Sequence, residues 1–124
     1  MHENLITGSI IELAIKVHKT LGPGLFESVY QECLFYELKN EGFEVEKEKI
    51  LPVVYGDVRL KTGFRLDLLV ENKIIVELKT VERLTDLHLA QLLTYLKLSE
   101  CRVGLLLNFN VSKLKNGIQR VVNN

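Results

Sequence analysis

Residues 64–80 read Phe64-Arg65-Leu66-Asp67-Leu68-Leu69-Val70, then Glu71-Asn72-Lys73, then Ile74-Ile75-Val76-Glu77-Leu78-Lys79-Thr80. In the first run Phe64, Leu66, Leu68 and Val70 share one face and Asp67 lies on the other. In the second, Ile74, Val76 and Leu78 share a face, with Glu77 and Lys79 opposite. A period of two is that of a strand, whose side chains alternate between faces. The three intervening residues leave room only for a tight reversal, so the spacing predicts a hairpin. A connection centred on Asn72 sets Asp67 directly across from Glu77, and a two-residue loop would shift this by one position.

Cross-strand neighbours on one face have Cβ atoms about 5 Å apart. Two carboxylates that close repel each other unless a cation sits between them, and hard oxygen ligands favour Mg²⁺ or Mn²⁺. Lys79 would stand beside that cation, where it contacts a phosphate and helps orient or deprotonate an attacking water. A hairpin with one solvated face shows the same alternation, and a Glu-x-Lys triplet is common by chance, so the residues around the hairpin carry weight.

Before it, Ile6, Ile10, Leu13, Ala14, Val17 and Leu21 fall at helical spacing, predicting a helix over residues 4–20 that Leu21-Gly22-Pro23-Gly24 breaks. A second helix is expected from Phe26 to Asn40, burying Val29, Cys33 and Tyr36, with Leu34 and Leu38 as further candidates. Residues 43–55 read as a strand bent at Pro52. Turns near Tyr55-Gly56-Asp57 and Lys61-Thr62-Gly63 are expected to bracket a short strand. After the hairpin, residues 86–98 read as a helix through Leu89, Leu92, Leu93 and Leu96. Val103 to Phe109 is nearly all apolar, as in a strand covered on both faces. Residues 111–122 are expected to form a closing helix or an irregular tail. The order implies an α/β fold, a mixed sheet with helices packed on it.

Three further polar features stand out. Glu27 follows the glycine-rich break in the first turn of the second helix, where the helix dipole alone favours an acid. Gln91 and Tyr95 lie one turn apart on the helix after the Glu77/Lys79 strand. His88 lies one turn before Gln91.

These residues together resemble the PD-(D/E)XK nuclease superfamily, in particular its RecB-like branch: Asp67, then Glu77-Leu78-Lys79, then Gln91-x-x-x-Tyr95. Gly24-Leu25-Phe26-Glu27-Ser28-Val29-Tyr30 is similar to the motif that gives the GxxExxY protein family its name, and the likeness runs from Val17 to Phe109. The resemblance implies a restriction-endonuclease-like αβββαβ core with a mixed central sheet flanked by helices. It implies that Asp67 and Glu77 are metal ligands, that Lys79 is the catalytic lysine and that Glu27 adds an acidic group at the metal. Gln91 and Tyr95 would support the lysine, the metal or the phosphate. The implied cofactor is Mg²⁺ (or Mn²⁺), and the implied partner is nucleic acid, DNA or RNA.

The 124 residues suffice for one domain, residues 1–124, and are too few for two. With 47% hydrophobic and 26% charged residues the composition is that of an ordinary globular protein. No apolar run approaches the roughly 18 residues needed to span a membrane. Cys33 and Cys101 lack a CxxC partner and are expected to be reduced thiols in a cytoplasmic protein. The net charge of +0 announces no global basic field, although residues 97–124 carry Lys97, Arg102, Lys113, Lys115 and Arg120 against Glu100 alone. A basic rim at one end is therefore expected beside three overall readings. One is a metal-dependent nuclease, and another is a catalytically silent nucleic-acid- or protein-binding module that retains the fold. The third is a purely structural self-associating protein. So small a chain has little surface to grip a duplex, so a homo-oligomer or a partner subunit is expected.

Overall fold

In the computed structural model, which describes residues 2–124, the hairpin is the centre of a five-stranded sheet. Its strands are β1 (Val45–Tyr55), β2 (Val58–Val70), β3 (Ile74–Lys79), β4 (Val103–Asn108) and β5 (Ile118–Val122), in that spatial order. All neighbours are antiparallel except β3 and β4, which run parallel. The helices are α1 (Glu3–Leu21), α2 (Glu27–Asn40) and α3 (Asp86–Ser99), and α3 makes the crossover that a parallel pair requires. The order α2-β1-β2-β3-α3-β4 is the αβββαβ core, and the chain has the mixed α/β fold expected of it.

Two apolar layers hold the sheet between helices. On one face Ile6, Ile10, Ala14 and Val17 of α1 and Tyr30, Leu34 and Leu38 of α2 pack on Leu68, Val70, Val76 and Leu78. On the other, Leu92, Tyr95 and Leu96 of α3 pack on Leu66, Leu69, Ile75 and Leu106. All six residues of β4 are buried, as expected of a strand covered on both sides.

Four expectations are corrected. In α2 the buried stripe is Tyr30, Gln31, Leu34 and Leu38, while Val29 and Tyr36 are exposed and Cys33 is half-buried. The helical period offers two adjacent stripes, and the buried one packs Leu34 and Leu38 into the core together with Tyr30, whose hydroxyl is satisfied there. That hydroxyl donates to the Gly22 carbonyl at 2.5 Å and accepts from the Leu25 N–H at 3.2 Å. No turn forms at Lys61-Thr62-Gly63, where β2 runs straight through. Gly63 faces Pro52 across the ladder, and a Cβ there would collide with the Leu51 carbonyl oxygen, so this glycine serves close strand approach and not reversal. The ladder shifts register between Pro52 and Val54, the bend expected at the proline. The tail is neither a helix nor irregular: after a 3-10 turn, Leu114–Gly117, it adds β5 to the edge of β4.

The fourth correction shapes the site. Phe64 and Leu66 face α3, whereas Leu68 and Val70 face α1 and α2, so the simple alternation expected from Phe64 to Val70 breaks at Asp67. Opposite the break, Glu48 of β1 has φ 54°, in the left-handed region that non-glycine residues rarely occupy. Arg65 reaches its carboxylate at 3.5 Å.

Candidate active site

The connection between β2 and β3 fixes which acids meet. Glu71 and Asn72 have φ of 55° and 54°, and the Lys73 N–H donates to the Val70 carbonyl at 3.0 Å, closing a turn of the type that suits strand twist. Glu71 tolerates that backbone because both its N–H and its carboxylate bond to Glu44, the residue before β1. The resulting register pairs Val70 with Ile74, Leu69 with Ile75 and Leu68 with Val76, and there the backbone ladder stops. One step further the register sets Asp67 opposite Glu77.

At that step side chains replace the ladder. The Asp67 N–H donates to Oε2 of Glu77 at 2.8 Å, and the Leu78 N–H donates to Oδ2 of Asp67 at 2.9 Å. Each carboxylate thus reaches into the gap between the splayed strands and holds the opposite backbone. The other oxygen of each, Oδ1 and Oε1, makes no hydrogen bond among the described residues. No buried side-chain oxygen or nitrogen there lacks a partner, so these two oxygens keep contact with solvent.

The electrostatics are those of like charges out of water. Burial first, then the charge of Asp67, push the Glu77 carboxyl up to about 8. Burial also raises Asp67 and Glu27 adds to this, against the Leu78 N–H bond and the cations of Lys79 and Arg65. Lys79, half-buried at the end of β3, counteracts both rises. Burial raises the Tyr95 phenol, and the charges of Glu77 and Asp67 add to it, so its hydroxyl remains a donor at neutral pH. The Tyr95 ring is fixed against Phe64, centroids 5.0 Å apart.

The residues singled out in sequence therefore fall into two groups. Asp67, Glu77, Lys79 and Tyr95 come together at the splayed strands. Glu27 is exposed at the start of α2, within electrostatic reach of both acids, yet among the described residues no three His, Cys, Asp or Glu side chains are gathered closely enough to share an ion. Gln91 is exposed and its side chain makes no hydrogen bond among the described residues. His88 serves the helix itself. Its Nδ1 accepts from the Thr85 N–H at 3.0 Å while the Thr85 hydroxyl accepts from the His88 N–H at 3.5 Å, a capping box that starts α3.

Asn108 was not visible as a site residue. Buried at the end of β4 beside Lys79, it donates to the Val81 carbonyl at 2.9 Å and accepts from the Val81 N–H at 3.1 Å. It thereby clamps the segment that leaves Lys79. An asparagine closing an apolar run was the available signal.

The donor set fits a divalent cation. Two carboxylates oppose each other across a strand gap, burial raises both and the charge of Asp67 raises Glu77 further, and each retains a free oxygen. Fold and site together define a nuclease-type α/β domain. Over residues 4–121 the chain matches the PD-(D/E)XK nuclease superfamily, and it belongs to that superfamily. Comparison with curated proteins finds no match. Membership brings the general expectations of that class, divalent metal ions and a nucleic-acid partner. None of the helices among the described residues is long and apolar enough to cross a membrane.

Proposed function

We propose that this chain is a metal-dependent nuclease that hydrolyses phosphodiester bonds of nucleic acid at Asp67, Glu77 and Lys79. One observation carries the reading: the reciprocal bonds between the two carboxylates and the opposing backbone amides, which hold both acids in the gap with one free oxygen each. Oδ1 of Asp67 and Oε1 of Glu77 would hold Mg²⁺ or Mn²⁺. Bound there, the ion supplies an activated water and neutralises charge on the phosphate. Lys79 presents its ammonium where negative charge develops, and Tyr95 contributes a protonated hydroxyl beside both acids. Glu27 adds acidity at the rim, and Gln91, exposed on α3, is the remaining polar group assigned to support the phosphate. The motif Gly24 to Tyr30 supports placing the chain in the GxxExxY group of the RecB-like branch, with residues 1–124 acting as one catalytic unit in the cytoplasm.

The test is cleavage of labelled single-stranded, duplex and branched DNA and RNA with Mg²⁺ or Mn²⁺. Wild-type protein should cut at least one of these, and Asp67→Asn and Glu77→Gln should cut none while remaining folded. If no substrate is cut with either metal, the enzyme reading is wrong and a silent binding module remains.

A further inference from the structure

A cavity of about 530 Å³ opens between the end of α1 and the segment that follows β4. Its rim carries Lys19, Lys113 and Lys115, its apolar walls are Ile15, Pro23 and Leu114, and no acidic side chain lines it. All three lysines are exposed, and none forms an ion pair among the described residues. In a chain of net charge +0 this is a local concentration of positive charge. The basic rim expected from residues 97–124 is thus divided. Lys113 and Lys115 turn to the cavity, whereas Arg102 pairs with Glu3 at 3.3 Å and Arg120 donates to Asn4 at 2.7 Å at the start of α1.

The cavity lies at the same end of the sheet as the acids. Lys79 and Asn108 are paired at the carboxyl ends of the parallel strands β3 and β4, the end at which α/β sheets bind ligands. Through Asn108 the chain runs on to Lys113 and Lys115, and from Gly22 and Pro23 on the other wall it runs on to Glu27. Phe109 joins the two regions. It stacks on Tyr30 with centroids 4.4 Å apart, its N–H donates to the Lys79 carbonyl at 2.9 Å, and its ring lies 6.1 Å from that of His18. His18 in turn bonds the Val111 carbonyl at 2.8 Å through Nε2, which ties α1 to the lysine-bearing segment.

An apolar chamber with a cationic rim matches a ligand that joins a flat, weakly polar ring to an anion, and its volume lies within the range of small-ligand sites. We propose that this cavity takes one unstacked nucleotide of the nucleic-acid strand bound at Asp67 and Glu77. The base rests on Ile15, Pro23 and Leu114, and the flanking phosphates meet Lys19, Lys113 and Lys115. The inference rests on the nuclease reading for the identity of the strand. It gives a chain with little surface to grip a duplex a second hold on a single-stranded one.

The test is binding of a fluorescein-labelled single-stranded oligonucleotide in EDTA, read by anisotropy between 50 and 200 mM KCl, which takes no account of cleavage. Replacing three phosphate contacts in Lys19→Ala/Lys113→Ala/Lys115→Ala should reduce the slope of log affinity against log salt by about 2. Wild type should then lose roughly 20-fold more affinity across that salt range than the variant. Ser112→Asp, which puts a negative charge on the cavity wall without removing a lysine, should also weaken binding, while Lys97→Ala on α3 should not. A duplex, whose bases stay stacked, should lose less than the single strand. Wild-type affinity and slope in the triple variant would overturn the inference, and so would equal losses with duplex and single strand. A chain that cuts nucleic acid yet binds unchanged in the triple variant refutes this inference alone, and one that binds through the cavity but never cuts refutes only the enzyme reading.

Discussion

Replacing Glu77 by glutamine should stabilise the metal-free protein at high pH and hardly at all at low pH. The folded carboxyl is pushed up to about 8 from an ordinary 4.5, by burial and then by Asp67. Between those values the folded state keeps a proton that the unfolded chain has released, so stability falls as pH rises through this window and is flat above it. At about 1.4 kcal/mol per pH unit the full gap corresponds to roughly 5 kcal/mol. Relaxation of the splayed strands and contact of the free carboxylate oxygens with water reduce this, and we expect ~3 kcal/mol. Glutamine keeps an oxygen to accept the Asp67 N–H and carries no charge, so the variant escapes the loss. For a chain of this length ~3 kcal/mol is roughly 10 °C in Tm. Thermal unfolding of both proteins in EDTA from pH 5 to pH 9 should show their Tm values diverging as pH rises. Adding Mg²⁺ at pH 8 should recover much of the difference for wild type and little for Glu77→Gln. Parallel curves across the whole range would refute the buried-repulsion account of this site.

Lys79→Ala should lower cleavage by roughly 10²–10³-fold, the usual cost of removing one group that stabilises developing charge, while circular dichroism stays native; undiminished cleavage would remove Lys79 from the chemistry. Thr85→Ala should cost about 1 kcal/mol through loss of the α3 cap and leave the cleavage rate at 25 °C as it was, whereas a large loss of rate without a fall in Tm would give the Thr85–His88 pair a part in catalysis. Gly117→Ala should destabilise by ~1–3 kcal/mol, because a Cβ there collides with the Asn108 carbonyl oxygen and must push β5 away from β4; an unchanged Tm would show that this edge yields freely.

The hairpin was legible because a short connection leaves few registers, and Glu71-Asn72 supplies the left-handed pair that selects one of them. The helix positions were legible from apolar spacing and from Gly22, whose φ of 74° ends α1. What was hidden depends on partners distant in sequence. The buried stripe of α2 includes Tyr30, whose hydroxyl needs a partner that the helix itself does not supply, the carbonyl of Gly22. The straight passage of β2 through Gly63 depends on its pairing with Pro52 in the preceding strand, and β5 exists because β4 offers an unpaired edge. In the site, the pairing of Asp67 with Glu77 followed from period and register alone. The change of face at Asp67 did not, since it needs the left-handed Glu48 on one neighbour and a missing ladder rung on the other.

That change of face explains why the acids sit where they do. β2 must cover α3 with Leu66 and then α1 and α2 with Leu68, and a regular strand presents both to the same side. Crossing over twists the backbone at Asp67 and strips amides at Asp67 and Leu78 of their ladder partners. An unpaired buried amide costs about 1–3 kcal/mol, so two side-chain acceptors are needed at the break. Carboxylates fill that need with charge-assisted bonds, at the cost of mutual repulsion that a cation between them relieves. Neutral amides would also accept these two backbone bonds, but would present an NH₂ group where each carboxylate keeps a free oxygen. The acids therefore contribute to the strand crossing what asparagine and glutamine also would, and the free oxygens, the raised carboxyl of Glu77 and the neighbouring Lys79 are the part that the strand crossing does not require.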